Sequence, residues 1–395
     1  ALGAVYLEPR GVATVKGVEH DMGYAAHGRE DRSYGGGLFV TVDAEGKLAA
    51  VNLLRLEDLL RGIVPSEIFA TAPEAALEAQ AVAARGEVLA KIGARHLADP
   101  FHLCAEQHCQ VYKGRGGEHP RTSAAVEATR GQLLFGAEGR LVDTVYSSTC
   151  GGHTEDNEAV WGTPPSPHLR GRPDVWETQM VVEGSDGAGS QGLIRRTRTA
   201  GAAEGGETSV AGGTTTGAAP GLPPAPEAGS AFEGGPPTNL SPGGSREALE
   251  AFLARTEGWM CGASSFARPE KLRWTREFSD AALAVRLAPL GVGKLESMEV
   301  LGRGASGRAI GLRLRGTEGE VEIRGELNIR RLFGNLNSSL FVIDRLPGGW
   351  RFRGAGWGHG VGMCQMGAIG RAERGADHEA ILRHYYPGSE LRKLY

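Results

Sequence analysis

Residues 56–94 read LEDLLRGIVPSEIFATAPEAALEAQAVAARGEVLAKIGA, and this stretch decides the fold. Its first part predicts a helix over Leu56–Val64 that Pro65 ends, because proline has no N–H to donate to the helical ladder. Its second part predicts a longer helix over Pro73–Ala94 from apolar residues at three- and four-residue spacing. The apolar face of this longer helix comprises Leu77, Ala81, Ala84, Val88 and Ile92. The sequence therefore predicts two helices joined by a short connector.

The whole chain has the composition of an ordinary globular protein. It has 395 residues, enough for one large or two to three small domains, with 43 basic against 47 acidic side chains and 41% hydrophobic residues. The absence of a basic excess argues against a nucleic-acid partner. No run of about 18 apolar residues occurs, so we expect no membrane span in this chain. The first residues lack the basic and apolar regions of a secretory signal, so we expect the signal peptide to be absent from this chain.

The chain divides by composition into three segments. Residues 1–182 hold N-terminal strands and the two helices, and residues 246–395 hold mostly strand-like runs. Between them, residues 183–245 are so rich in Gly, Pro and Ala that we expect a flexible, disordered insertion. The third segment is predicted to begin with a helix in EALEAFLART and end with one in HEAILRHYY. Its predicted strands are LAVRLA, KLESMEVLG, AIGLRLRG, EVEIRGE, SSLFVIDR and WRFRGAG. The predicted fold class is α+β, with helices early and mostly antiparallel strands in the second half.

Glu67 is the candidate catalytic residue of the connector between the two helices. Its neighbours Ile63, Val64, Ile68 and Phe69 are apolar. An apolar environment raises the pKa of a carboxyl group by disfavouring its charge, which suits a general acid near neutral pH. The alternative is a helix-terminal glutamate that faces water, and the spacing alone favours it.

A cysteine and histidine cluster follows in FHLCAEQHCQVYKG, residues 101–114. Cys104, His108 and Cys109 offer the thiolate and imidazole ligands of a tetrahedral zinc site. A closed site needs a fourth ligand, and His96 has the reach that His102 lacks. A Cys104–Cys109 disulfide or a pair of buried thiols remains open as an alternative.

Two glycine-containing segments complete the candidate residues. SSTCGGHTED, residues 147–156, follows an apolar strand, and loops at strand ends often hold binding groups. GAGWGHGVGMCQMGAIG, residues 354–370, does not follow the strand–turn–helix context of a dinucleotide-binding motif but suits a groove that approaches a polar polymer. Ordinary turns explain both segments equally well. If the protein is exported, we expect a disulfide between Cys150 and Cys261.

Together these motifs resemble the stage II sporulation protein D (SpoIID) family, also known as the amidase-enhancer or LytB-like domain. The resemblance rests on GIVPSEIFATAPEAALEAQAVAAR, FHLCAEQHCQVYKG, AVEATRG, VYSSTCGGHTEDNEAVWG, LRWTREFS, FRGAGWGHGVGMCQMGAIGRA and ILRHYYPGSEL. These motifs cover roughly residues 50–180 and 245–395. The chain departs from many relatives in reading GEV after Arg85 and in having Cys364 where serine is common.

The resemblance implies a lytic transglycosylase of bacterial peptidoglycan or, alternatively, a non-catalytic glycan-binding enhancer of a cell-wall amidase. It implies Glu67 as the sole general acid and base, which would leave 1,6-anhydro-N-acetylmuramic acid ends. It also implies a structural zinc ion held by His96, Cys104, His108 and Cys109. The candidate substrate-binding residues are Ser147, Ser148, His153, His359 and Gln365. The expected partners are peptidoglycan glycan strands, with or without their stem peptides, and a cell-wall amidase, in an extracytoplasmic location in the periplasm or cell envelope.

Overall fold

Short strands and helices alternate along the chain in a computed structural model that describes residues 4–9, 11–20, 27–43, 45–106, 108–176 and 245–395. The strands are β1 (Val5–Leu7), β2 (Ala13–His20), β3 (Gly28–Tyr34), β4 (Gly37–Val42), β5 (Leu48–Leu53), β6 (Gln132–Phe135), β7 (Tyr146–Ser147), β8 (Arg273–Ser279), β9 (Leu295–Val300), β10 (Gly311–Gly316), β11 (Gly319–Arg324), β12 (Phe341–Leu346), β13 (Gly349–Ala355), β14 (Met363–Cys364) and β15 (Glu390–Lys393). The helices are α1 (Leu56–Glu67), α2 (Glu74–Lys91), α3 (Pro120–Ala128), α4 (Asn157–Trp161), α5 (Arg246–Ala254), α6 (Met260–Ala263), α7 (Pro269–Leu272), α8 (Asp280–Leu287), α9 (Glu326–Leu332), α10 (Gln365–Ala372) and α11 (His378–Tyr385). The predicted insertion at 183–245 lies outside the described residues apart from Ser245, so its disorder stays a prediction.

The sheets are small, and all but one are antiparallel. Their strand orders are β1-β4-β5, β2-β3, β12-β13-β8, β11-β10-β9 and β15-β6. The exception is a two-residue parallel pair in which Tyr146 and Ser147 of β7 lie opposite Met363 and Cys364 of β14. The predicted α+β class with mostly antiparallel strands is therefore confirmed. The parallel pair joins the SSTCGG segment to the glycine-rich segment near the C-terminus.

Helix α1 continues through Pro65 to Glu67, so the prediction that this helix ends at Val64 is wrong. Proline lacks the N–H, but its ring holds φ near the helical value, so the chain passes through it at the loss of one hydrogen bond. The N–H of Ile68 donates to the carbonyl of Val64 at 3.1 Å and closes the last turn. Val64 is fully buried, so packing holds this turn against the core. Glu67 is consequently the last residue of a helix and not part of a connector.

Helix α2 lies at the centre of the protein. It is buried on nearly every side, and α1, α3, α10 and α11 pack on it. Its many alanines allow these neighbours to approach closely. The prediction that Ile92 lies on the buried face is wrong, because α2 ends at Lys91 and Ile92 is 42% exposed with an extended backbone.

The predicted strand LAVRLA is also wrong, since these residues belong to α8. Ser279 caps this helix, its hydroxyl accepting a hydrogen bond from the N–H of Ala282 at 3.1 Å. Leu283 and Leu287, four residues apart, are buried while Val285 is exposed. A strand with alternating burial would have buried Val285 together with Leu283 and Leu287. The observed burial instead follows the 3.6-residue period of a helix. The predicted helices in EALEAFLART and HEAILRHYY are confirmed as α5 and α11.

The described residues up to 176 and from 245 onward form one compact unit. One apolar cluster surrounds α2 and includes Val82 from the first part of the chain and Ile369 from the last part. A second cluster, with Phe333 and Phe352 fully or nearly fully buried, lies among β8–β13, α8 and α9. None of the helices in the described ranges is both long and apolar enough to cross a bilayer.

Candidate functional site

Glu67 ends α1 with its side chain partly buried and facing two charged residues of α2. Burial raises the pKa of Glu67 to about 7, and the negative charge of Glu87 adds to this rise. The ammonium of Lys91 and a hydrogen bond from the backbone of Val111 oppose it. The carboxyl end of a helix also carries partial negative charge, which disfavours a carboxylate there. A carboxyl group with this pKa gives and takes a proton near neutral pH.

Glu87 is a second carboxylate beside Glu67, and sequence analysis missed it. It is buried and its two oxygens accept hydrogen bonds from Lys91 Nζ and from Gln110 Nε2. The hydroxyl of Tyr146 in turn donates to Gln110 Oε1 at 2.7 Å. Burial raises the pKa of Glu87, and the ammonium of Lys91 opposes that rise. In the sequence Glu87 is part of the GEV that follows Arg85, and nothing local there indicates that it faces Glu67.

Gln365 lies directly behind Glu67. Its side-chain amide Nε2 donates to the backbone carbonyl of Glu67 at 2.9 Å and to Gln80 Oε1 at 3.2 Å. Gln365 is buried, so its amide holds the end of α1 and is not open to a substrate. Of the five candidate substrate-binding residues, this is the one that contacts Glu67.

Ser147 and Ser148 lie at the end of β7 with different exposure. Ser147 is buried, and its hydroxyl has no hydrogen-bond partner among the described residues. Ser148 is partly exposed, and Lys271 Nζ lies 3.5 Å from its hydroxyl. The same ammonium lies 4.8 Å from the ring centre of Trp357, which is 39% exposed. These residues form a polar and aromatic patch, Ser148–Lys271–Trp357.

His359 is a neutral histidine with an assignable tautomer. Its Nε2 lies 2.9 Å from the carbonyl of Tyr146, while its Nδ1 accepts a hydrogen bond from the N–H of Val361 at 3.1 Å. The proton is therefore on Nε2. Burial, and then the charge of Arg308, lowers the pKa of His359 to about 3, so it is not a general acid or base at neutral pH. Its ring packs 5.1 Å from Trp161, which is 45% exposed.

His153 is not at the surface. It is only 2% exposed, and its Nδ1 lies 2.6 Å from the carbonyl of Thr154. Burial lowers the pKa of His153 to about 4, so the ring is neutral. In this structure His153 is a buried structural residue, and direct substrate contact at His153 stays a prediction that its burial does not favour.

The four predicted metal ligands come together in what we call the loop cluster: His96, Cys104, His108 and Cys109, whose ligand atoms all lie within 4.8 Å of one another. His108 Nδ1 is 3.7 Å from Cys104 Sγ and 3.5 Å from Cys109 Sγ. A tetrahedral zinc with Zn–S bonds of about 2.3 Å and Zn–N bonds of about 2.0 Å separates sulfur from nitrogen by roughly 3.5 Å. Both cysteines are free thiols, so the alternative Cys104–Cys109 disulfide is not formed.

His96 has the features of the fourth ligand. Its Nδ1 is 2.8 Å from Asp99, while its Nε2 is buried and has no hydrogen-bond partner among the described residues. A carboxylate on one ring nitrogen orients a histidine whose other nitrogen binds a metal. His96 also has φ of 52°, a strained conformation for a residue other than glycine. The residues present therefore fit a metal ion with four protein ligands and no open position.

The loop cluster is connected to Glu67 through the residues that follow it. The carbonyl of Cys109 accepts a hydrogen bond from Lys91 Nζ. The next residue, Gln110, donates to Glu87, and the backbone of Val111 hydrogen-bonds to Glu67. A metal ion that holds this loop would thus hold the groups that set the environment of Glu67.

Two cavities lie away from Glu67 in the described part of the chain. One, of about 280 Å³, is lined by Arg273 and Trp274 of β8, and another of the same volume lies between Leu134 of β6 and Leu382 of α11. Glu67 lines neither of them.

Comparison with known proteins places the first part of this site in a family. Residues 44–135, which include Glu67 and the loop cluster, match the family model described as stage II sporulation protein, SpoIID. Residues 238–362 match a model described as a domain of unknown function, DUF8618. The chain therefore contains a SpoIID-type region, which agrees with the resemblance carried by its motifs.

Two curated relatives are similar along most of the chain. An uncharacterized protein of Brachyspira hyodysenteriae is 25% identical over 91% of this chain and 72% of its own length. A Bacillus subtilis protein named amidase enhancer is 24% identical over 84% of this chain. The alignment covers only 40% of that second protein, so this chain spans well under half of its length.

Proposed function

We propose that this protein is a SpoIID-type lytic transglycosylase that cleaves the bond between N-acetylmuramic acid and N-acetylglucosamine in peptidoglycan glycan strands. The family match and the amidase enhancer relative support a cell-wall-related role. The observation that carries the finer proposal is Glu67, a partly buried carboxyl group whose pKa lies at about 7. An extracytoplasmic location follows from a cell-wall substrate and is part of the same proposal.

The reaction needs one group that acts first as an acid and then as a base. Protonated Glu67 donates its proton to the bridging oxygen, and the bond from that oxygen to muramoyl C1 breaks. The Glu67 carboxylate then removes the proton of the muramoyl C6 hydroxyl, whose oxygen attacks C1. The products are a strand with a free 4-hydroxyl and a 1,6-anhydro-muramoyl end, and Glu67 is protonated again. No water is consumed.

The neighbouring carboxylate supports this mechanism over hydrolysis. A glycoside hydrolase normally uses a second carboxylate as nucleophile or as base for water. Glu87 is buried and both of its oxygens are occupied by Lys91 and Gln110. It therefore serves as a fixed group that raises the pKa of Glu67 and is not free to take part in a displacement.

The exposed aromatic residues give the proposed glycan contacts. Trp161 and Trp357 present ring surface to solvent, and sugar rings stack on such faces. Lys271, between Trp357 and Ser148, supplies a positive charge. A muramoyl residue without its stem peptide carries a lactyl carboxylate, so this charge favours denuded strands.

We also propose that zinc occupies the loop cluster. Its two thiolates and two imidazoles are a common zinc ligand set, and a site with four protein ligands is structural. Bound there, the ion would supply folding energy to the loop from which Gln110 and Val111 reach Glu87 and Glu67.

A second candidate function is stimulation of a cell-wall amidase through glycan binding. The observation that favours it is the similarity to the amidase enhancer over 84% of this chain. On this alternative, glycan binding would persist and the proton transfers at Glu67 would not be needed.

The test is mass spectrometry of fragments released from purified peptidoglycan, both intact and amidase-treated. We expect wild type and the control Glu138→Gln, an exposed surface change, to release 1,6-anhydro ends, and Glu67→Gln to release none. If neither wild type nor Glu67→Gln releases anhydro ends and both accelerate an amidase equally, the transglycosylase proposal is wrong and the enhancer function stands.

A further inference from the structure

We propose a second metal site, a closed zinc site in the protein core, formed by Cys150, Asp174, Cys261 and Cys364. Their ligand atoms all lie within 4.8 Å of one another, and all four residues are fully buried. This core cluster is separate from the loop cluster and from Glu67, and it does not depend on the proposed function.

The distances in the core cluster match one metal ion. Cys150 Sγ lies 3.7 Å from Cys261 Sγ and 3.3 Å from Asp174 Oδ2. Two Zn–S bonds of about 2.3 Å at a tetrahedral angle place their sulfurs about 3.8 Å apart. Four donors this close together leave room for a single ion.

Asp174 is oriented as a ligand. Its Oδ1 accepts hydrogen bonds from the hydroxyl of Tyr385 at 2.8 Å and from Arg371 Nη2 at 3.3 Å. These contacts leave Oδ2 directed at Cys150. Outer hydrogen bonds to one carboxylate oxygen commonly fix the other on a metal.

Backbone amides also point at the sulfurs. Cys364 Sγ accepts hydrogen bonds from the N–H of Cys150 at 3.1 Å and from that of Gly367 at 3.3 Å, at the N-terminus of α10. Cys150 Sγ accepts one from the N–H of Gly152 at 3.4 Å. Amide donors and a helix N-terminus favour thiolates, the form that binds a metal.

Three guanidinium groups surround the core cluster. Arg308 donates to the carbonyl of Cys150 at 3.0 Å, Arg273 to the carbonyl of Gly151 at 2.8 Å, and Arg371 to Asp174. Three thiolates and one carboxylate around a divalent ion carry a net charge of about −2, which is costly to bury without cations.

The donor set identifies the ion and its role. Three soft thiolates with one carboxylate suit zinc and exclude magnesium and calcium, which take oxygen ligands. Four protein ligands leave no position for a substrate. The ligands come from the loop after β7, the segment before residue 176, α6 and the end of β14, so the ion would fasten four separate parts of the chain.

A disulfide between Cys150 and Cys261 is the alternative to metal binding at the core cluster. The predicted Cys150–Cys261 disulfide is not formed in this structure, where both are free thiols 3.7 Å apart. An oxidised pair would remove two of the four ligands. Metal binding and this disulfide therefore exclude one another.

The test is the zinc content of the full chain by inductively coupled plasma mass spectrometry. We expect about two zinc ions per wild-type chain and about one in Cys104→Ser/Cys109→Ser, which leaves the core unchanged. Adding Cys261→Ser to that variant should remove the remaining ion. A folded Cys104→Ser/Cys109→Ser protein that holds no zinc would overturn the proposal.

Alkylation provides a second readout that needs no variant. Wild type is unfolded with a chelator but without reductant and treated with iodoacetamide. Alkylation of all five cysteines excludes the disulfide that would remove two of the ligands. Alkylation of only three, with a linked peptide containing Cys150 and Cys261, contradicts it.

Discussion

The side-chain amide of Gln365 donates to the backbone carbonyl of Glu67 at 2.9 Å, although 298 residues of sequence separate the two. This bond fixes the last turn of α1 against the start of α10. The carboxyl group of Glu67 therefore takes its position from a segment at the other end of the chain.

Gln365→Met should reduce kcat far more than it changes KM, because the substitution keeps the volume of the side chain and removes the donor. Misplacement of a catalytic group by about 1 Å costs on the order of 100-fold in rate. Steady-state kinetics on glycan strands check this. Gln80→Met, which leaves the bond to Glu67 in place, is the control. If both variants lower kcat equally, Gln365 acts only through core packing.

Glu67→Gln should make the protein more stable than wild type at pH 8 and have little effect at pH 4. The pKa of Glu67 is raised from 4.5 to about 7, so the folded state binds the proton more tightly than the unfolded state. The stability that this tighter proton binding contributes is fully present below pH 4.5 and is lost as the pH rises through 7. One pKa unit corresponds to about 1.4 kcal/mol, so the difference is on the order of 1–3 kcal/mol. Urea unfolding at both pH values measures it, and a difference that does not change with pH contradicts the assignment.

Glu87→Gln should shift the alkaline limb of the pH profile of kcat/KM to lower pH. The negative charge of Glu87 raises the pKa of Glu67, and its removal also leaves the ammonium of Lys91 uncompensated. Both changes favour ionised Glu67, so the protonated acid is lost at a lower pH. A pH series on wild type and on Glu74→Gln, an exposed change on the same helix, is the comparison. An unshifted limb would mean that the two carboxyl groups do not interact.

Loss of the loop cluster should lower activity without unfolding the protein. In Cys104→Ser/Cys109→Ser the loop that carries Gln110 and Val111 loses its metal. The hydrogen bond from Gln110 to Glu87 of α2 and the one from the backbone of Val111 to Glu67 then loosen. We expect at least a tenfold fall in kcat/KM, by the usual effect of displaced supporting residues. Hydrogen exchange should rise over residues 101–114 and stay unchanged in α2. Full activity together with unchanged exchange would separate the loop cluster from the site.

Sequence patterns predicted the features of the fold that depend on residues close together in the chain. The helical period placed α2, and the spacing of His96, Cys104, His108 and Cys109 predicted a cluster that the structure assembles. Pro65 was misread as a helix end, because the burial of Val64 outweighs one lost hydrogen bond. LAVRLA was misread as a strand, because the capping hydroxyl of Ser279 was not weighed.

Contacts between residues far apart in the chain could not be predicted from such patterns. Nothing local indicates that Glu87, a residue of α2, faces Glu67 across a helix junction. The core cluster includes Cys150, Cys261 and Cys364. Each of these cysteines is more than 100 residues from the next one along the chain. The parallel pairing of β7 with β14 brings Cys150 close to Cys364, and the packing of α6 on α10 adds Cys261. Neither contact leaves a clear pattern in a sequence.

Because β14 lies near the C-terminus, its pairing with β7 forms only after most of the chain has been synthesised. A ribosome, or a translocon, delivers the chain from its N-terminus, so Glu67 emerges about 300 residues before its partner Gln365 on α10. Contacts this distant in sequence form late, since closing so long a loop is entropically costly. A nascent or truncated chain therefore carries Glu67 without the Gln365 contact that positions it, and under the proposed function activity begins only when the last segment has been delivered.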